Sequence, residues 1–198
     1  MRTQVTRTCS KCFAALRQLR GIRGSVSSDV LQSLVVALVF SRLDYGSAIL
    51  AGLPKQLMDR LQSVQLNAAA RLIFRARRYD HVQPLLWSLH WLRVPELISF
   101  RLAVLVYRCL HGSAPGYLAS DLQRVSDLGA RRRLRSSTTS VLVAPRTVRA
   151  TIGDRAFPAA AASVWNSLPE TVRSSPSLPV FRSRLKTELF ARSYSCSD

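Results

Sequence analysis

The chain is poor in acid. Its 198 residues hold 11 Asp and Glu against 29 Lys and Arg, a formal net charge of +18. No two acidic residues are adjacent, so the clustered carboxylates that hold paired metal ions for phosphoryl transfer are missing. Histidine is scarce. His81, His90 and His111 stand apart, in no metal-binding spacing. The 8 glycines form neither a phosphate-cradling loop with Lys nor a G-x-S-x-G nucleophile elbow. Four cysteines are too few for a disulfide scaffold. Cys9-x-x-Cys12 has the spacing of half a zinc site, but no second half follows, and the same spacing puts both thiols on one helical face. The longest apolar run, residues 34–40, is far short of the roughly 20 residues of a membrane span. These absences argue against an enzyme, against a bound metal or cofactor, and against a membrane partner. They make an intracellular, reducing location the default.

What is present is hydrophobic and basic. Hydrophobic residues make up 47% of the chain, enough for a folded protein. Only Lys11, Lys55 and Lys186 are lysines, so the positive charge is carried by 26 arginines. Such an excess favours polyanions, nucleic acid or an acidic membrane surface. Arginine adds a planar fork that matches phosphate. The charge is uneven: residues 54–80 hold six basic and two acidic residues, 126–150 six and one, 81–125 four and two. Residues 1–28 hold six basic residues and no acid, a pattern shared by mitochondrial presequences and by basic amphipathic helices. Val5, Cys9, Cys12, Phe13, Leu16 and Leu19 fall on one face of such a helix.

Apolar spacing predicts a mainly α-helical fold in two parts, about 6–75 and 81–192. Helices are expected over 6–20, 30–43, 55–74, 81–89, 94–110, 115–125 and 159–165, with a last one after Ser177 and Pro179. Ser27 or Ser28 suits a helix cap, and Gly21 and His111-Gly112 suit helix ends. The 30–43 helix is apolar nearly all round, which predicts full burial. β-like character is confined to Val141–Val143 and Val148–Ile152. In the 55–74 helix, Leu57, Leu61, Val64, Ala68 and Leu72 form the expected core stripe. Arg60, Asn67 and Arg71 form a second stripe beside it, with Arg75, Arg77 and Arg78 following. A basic stripe beside a buried one suits a helix that tracks a phosphate backbone. The densest cluster is Arg131, Arg132, Arg133 and Arg135, in what reads as an exposed basic linker. Trp87, Trp91 and Trp165 lie in apolar stretches and are expected in the core.

Several stretches, in order, form a pattern. They are Ser41-Arg42-Leu43-Asp44-Tyr45-Gly46, Leu61-Gln62-Ser63-Val64-Gln65-Leu66-Asn67-Ala68-Ala69-Ala70-Arg71, Leu89-His90-Trp91-Leu92-Arg93-Val94 and Tyr107-Arg108-Cys109-Leu110-His111-Gly112. Gly153-Asp154-Arg155-Ala156-Phe157, Val164-Trp165-Asn166-Ser167-Leu168-Pro169 and Phe181-Arg182-Ser183-Arg184-Leu185-Lys186-Thr187 continue it. Together, from about Thr6 to Tyr194, they resemble the region downstream of the reverse-transcriptase domain in LINE-type, non-LTR retrotransposon polyproteins of the Jockey and chicken-repeat group. The resemblance implies that residues 1–75 correspond to the polymerase thumb, a helical bundle that grips template–primer duplex. It implies a helical C-terminal segment over 81–125, a basic linker over 126–150, a small module over 151–192 and a tail over 193–198. The family's paired polymerase aspartates and its endonuclease residues are absent here, so no catalytic residue carries over. On this resemblance Met1 is an internal methionine or the product of a broken element copy.

The expected function is therefore non-catalytic binding of RNA or RNA–DNA duplex, without sequence preference, through Arg60, Arg71, Arg75, Arg77, Arg78, Arg131, Arg132, Arg133 and Arg135. The expected location is the nucleus or a cytoplasmic ribonucleoprotein. The alternatives are a structural remnant with no selected activity and a basic mitochondrial protein.

Overall fold

A computed structural model describes residues 2–44, 50–127, 141–146, 153 and 156–194. It is mainly helical, as the apolar spacing requires. The chain divides into two compact units. The first comprises Met1–Ser47, Leu53–Leu97 and Ser193–Asp198, the second Ala48–Gly52 and Ile98–Arg192. The apolar spacing predicts a link at 75–81. The first unit runs on past that point because Trp91 packs its ring edge-on against Phe40 at 4.6 Å, and Tyr194 donates its hydroxyl to the Trp91 carbonyl at 2.6 Å.

In the first unit, α1 (Arg2–Ile22) buries Val5, Cys9, Cys12, Ala15, Leu16 and Leu19. The thiols on this face are core packing. Burial pushes the Cys9 thiol up, against a downward pull from Arg60. Phe13, expected on that face, lies at its edge and is 42% exposed. The second helical arm is α2 (Ser28–Val35), a π-helical turn (Val36–Phe40) and α3 (Ser41–Asp44). Ser27 caps it, its Oγ accepting from the Val30 amide at 3.4 Å. Full burial of this arm is not what the structure shows. Leu31, Val35 and Val39 are buried, while Val30, Val36 and Leu38 are 49%, 44% and 41% exposed. α1 and α5 cover one side of the arm, and the apolar residues on its other side remain in solvent.

The third arm is α4 (Lys55–Leu61), a second π-helical turn (Gln62–Asn67) and α5 (Ala68–Phe74). That π turn shifts the expected core stripe. Leu61 and Leu72 are buried, but Leu57 and Ala68 are only half-buried, and Leu66, Ala69, Ala70 and Ile73 fill the core instead. The Val64 side chain lies outside the described residues. A π turn holds more residues than an α turn, so everything beyond it rotates relative to an ideal α pattern. Gln62 ties the turn down. Its Nε2 donates to Asn67 Oδ1 at 3.1 Å, and its Oε1 accepts from the Val94 amide at 2.8 Å. α6 (Gln83–Ser88) packs on α5, and α7 (Val94–Leu110) begins in this unit. Tyr194 closes the unit, with Arg93 5.6 Å from its ring centroid and Trp87 edge-on at 5.3 Å. Burial pushes its hydroxyl up to about 12. Trp91 is buried as expected, but Trp87 is 53% exposed.

The second unit contains the rest of α7, then α8 (Gly116–Ala119), a 3₁₀ turn (Val125–Asp127), α9 (Phe157–Asn166), α10 (Glu170–Arg173) and α11 (Leu178–Tyr194) as far as Arg192. α7 ends where expected. Gly112 takes φ +67°, and the Ser113 amide donates back to the Arg108 carbonyl at 2.9 Å. Trp165 is buried, and α11 points Phe181, Leu185 and Leu189 inward. Of the expected β-like patch, Leu142 makes one antiparallel bridge with Arg124. Asn166 grips Leu142 from the side: Oδ1 accepts from its amide and Nδ2 donates to its carbonyl, both at 2.9 Å. Residues 148–152 lie outside the described residues.

Candidate nucleic-acid interface

Two elements of the first unit converge on one groove of about 680 Å³. From α1 come Phe13, Leu16, Arg17 and Arg20, spaced so that they share a face, with Arg23 just beyond the helix. From α5 and the turn after it come Ala68, Arg71, Leu72, Arg75, Ala76, Arg77, Arg78 and Tyr79. Leu16 and Leu72 are buried and form an apolar floor. Among the described residues the rim is seven arginines, with no acidic side chain lining it. The volume lies within the roughly 300–1,000 Å³ range of ligand sites.

The turn that carries Arg75, Arg77, Arg78 and Tyr79 is tightly built. α5 ends with Arg75 in the left-handed conformation at φ +57°, and the Ala76 amide donates to the Arg71 carbonyl at 3.0 Å. Asp80 then locks the loop. Its Oδ2 accepts from the Arg77 amide at 2.6 Å, and its own amide donates to the Arg77 carbonyl at 3.2 Å. Its carbonyl accepts from Arg71 Nη2, also at 3.2 Å. The Asp80 carboxylate is thus engaged with backbone. Arg71 Nε is buried and has no acceptor among the described residues. A buried donor without a partner is uncommon and costly.

Arg75 stands where helices commonly place glycine, because a Cβ in this conformation costs roughly 1–2 kcal/mol. Strain of this kind persists where the side chain has another use. Arg75→Gly should therefore raise the melting temperature by about 2–4 °C, as roughly 1 kcal/mol does for a chain of this size. It should also lower the salt slope of nucleic-acid binding by about one unit. A thermal melt and a salt titration read the two effects. An unchanged slope removes Arg75 from the interface.

The expected site residues divide. Arg71, Arg75, Arg77 and Arg78 come together in the groove. Arg60 does not join them: its Nη1 lies 3.4 Å from Thr6 Oγ1, at the other end of α1, and the π turn separates it from Arg71. Asn67 is held by Gln62 and lies off the groove. Arg131, Arg132, Arg133 and Arg135 lie outside the described residues. Arg17, Arg20 and Arg23 were not among the expected binding residues. Their signal was the three-residue spacing within an acid-free segment, which the sequence also offered as a presequence. A second basic cavity, of about 770 Å³, lies along the opposite edge of α1. It is lined by Arg7, Lys11 and Arg42 among others, with Arg42 Nη1 donating to the Lys11 carbonyl at 2.6 Å.

Among the described residues no group of three His, Cys, Asp or Glu is placed to hold a metal ion, and no helix is long and apolar enough to cross a membrane. No protein-family model, curated protein or solved structure matches the chain.

Proposed function

We propose that the chain is a non-catalytic nucleic-acid-binding module, which takes RNA or RNA–DNA duplex by its phosphates and without sequence preference. The observation that carries this reading is the convergence of seven arginines, from segments some fifty residues apart, on one groove with no lining acid among the described residues. Like charges repel, so gathering them on one apolar-floored surface is costly unless a polyanion neutralises them. The sequence resemblance to the thumb and downstream region of non-LTR retrotransposon reverse transcriptases agrees with it and is proposed as its origin. A nuclear or cytoplasmic ribonucleoprotein location follows from that origin.

The test is a salt titration of binding to RNA, to RNA–DNA duplex and to heparin. Log affinity should fall linearly with log salt. The seven groove arginines by themselves would contribute a slope of about −6 on duplex or about −5 on single strands. Affinity at physiological salt should lie around 10⁻⁴ to 10⁻⁶ M. A flat salt dependence overturns the proposal. So does heparin binding equal to RNA binding, which reduces the groove to generic polyanion attraction.

A further inference from the structure

Tyr79 is 90% exposed, more than any other large hydrophobic side chain described, yet it sits on a turn with little freedom. Asp80 fixes the backbone on one side of it through the Arg77 amide and carbonyl, and Arg71 holds the Asp80 carbonyl. The ring lines the same groove as the seven arginines, and Phe13, 42% exposed, lines it from α1. An aromatic face among guanidinium groups offers two separate interactions. Phosphates pair with the arginines, and a flat π-system can lie on the ring.

A duplex can use only the first. Its bases are stacked on each other, and it presents phosphates and groove edges outward. An unpaired nucleotide presents a free base face, and every base has one, so stacking of this kind discriminates strandedness without reading sequence. We infer that Tyr79 is a stacking platform and that the nucleotides seated in this groove are unpaired, in a single strand or in the overhang of a duplex. The inference rests on the phosphate-binding reading above and adds the form of the ligand. Tyr79 selects strandedness, the arginines supply affinity, and Asp80 positions the ring.

The experiment compares three probes at fixed salt: a short single-stranded RNA, a blunt RNA–DNA duplex, and the same duplex with a single-stranded extension. The parent should prefer the single strand and the extended duplex over the blunt one. Tyr79→Ala should weaken binding to those two probes by about 5- to 150-fold, the range of one lost base–aromatic stack. It should leave the blunt duplex unchanged. Tyr79→Phe should restore the preference, because the ring and not the hydroxyl carries it. Tyr117→Ala, at another exposed tyrosine that does not line the groove, should change nothing. Equal binding of all probes by the parent, or an equal loss on all probes in Tyr79→Ala, overturns the inference. The phosphate-binding reading fails separately, by a flat salt dependence, so the two failures are distinguishable.

Discussion

Replacing Arg17, Arg20, Arg77 and Arg78 together by alanine should flatten the salt slope of nucleic-acid binding by about three units. Each neutralised phosphate accounts for about 0.7–0.9 of a unit, and all four side chains are exposed on the groove rim. The affinity loss follows from the same contacts. An exposed ion pair is worth up to about 1 kcal/mol, so four give up to about 4 kcal/mol, or about a thousandfold. The choice of four is structural. Arg71 is spared because it holds the Asp80 carbonyl, and Arg75 because its backbone is strained. Folding does not confound the outcome, since thinning a cluster of like charges relieves repulsion in the free protein. The variant should melt no lower than the parent while binding far more weakly. Arg60→Ala is the matched control. It removes one positive charge from the same unit but not from the groove, so the slope should stay as it was. If the fourfold variant and the parent titrate alike, the groove arginines are solvated surface and the chain is better read as a remnant without selected binding.

The helical fold was legible because burial in a helix bundle writes itself as spacing. Phe181, Leu185 and Leu189 recur every four residues and all point inward. The same logic failed at the 55–74 arm. A spacing argument presumes constant turn geometry, and the π turn at Gln62–Asn67 breaks it, moving Ala68 outward and Leu66 inward. It also split the Arg60 and Arg71 stripe, which looked continuous on an ideal α-helix. The groove was half legible. Arg71 to Arg78 are close in sequence, so their cluster is visible without a fold. Arg17 and Arg20 join them only because α1 packs against α5, a contact that no local pattern announces. Tyr79 was invisible for a different reason. One tyrosine in a basic link carries no periodic signal, and its exposure depends on a turn set by the Asp80 carboxylate.

The second unit should depend on one ring more than on any other side chain. Phe181 is fully buried, stacked on Tyr107 at 4.5 Å and on Trp165 at 5.8 Å, and Tyr107 in turn stacks on His111 at 3.9 Å. It therefore links three elements: α7 through Tyr107, α9 through Trp165, and its own α11. Tyr107 also donates its hydroxyl to the Ser175 carbonyl at 3.0 Å, which fixes the segment just before α11. Phe181→Ala removes the central ring and leaves a cavity between residues already tied by hydrogen bonds, so the gap cannot close freely. The expected cost is about 3–5 kcal/mol. A whole domain is stable by only about 5–15 kcal/mol, so this is a large fraction. Because Trp87 and Trp91 lie in the other unit, total tryptophan fluorescence mixes the two. Amide hydrogen exchange separates them: protection of α9 and α11 should fall by several orders of magnitude, as local opening comes to require less free energy. Phe181→Leu keeps most of the volume and should cost under about 1.5 kcal/mol. Unchanged protection of α9 and α11 in Phe181→Ala would show that the aromatic stack does not hold this unit together.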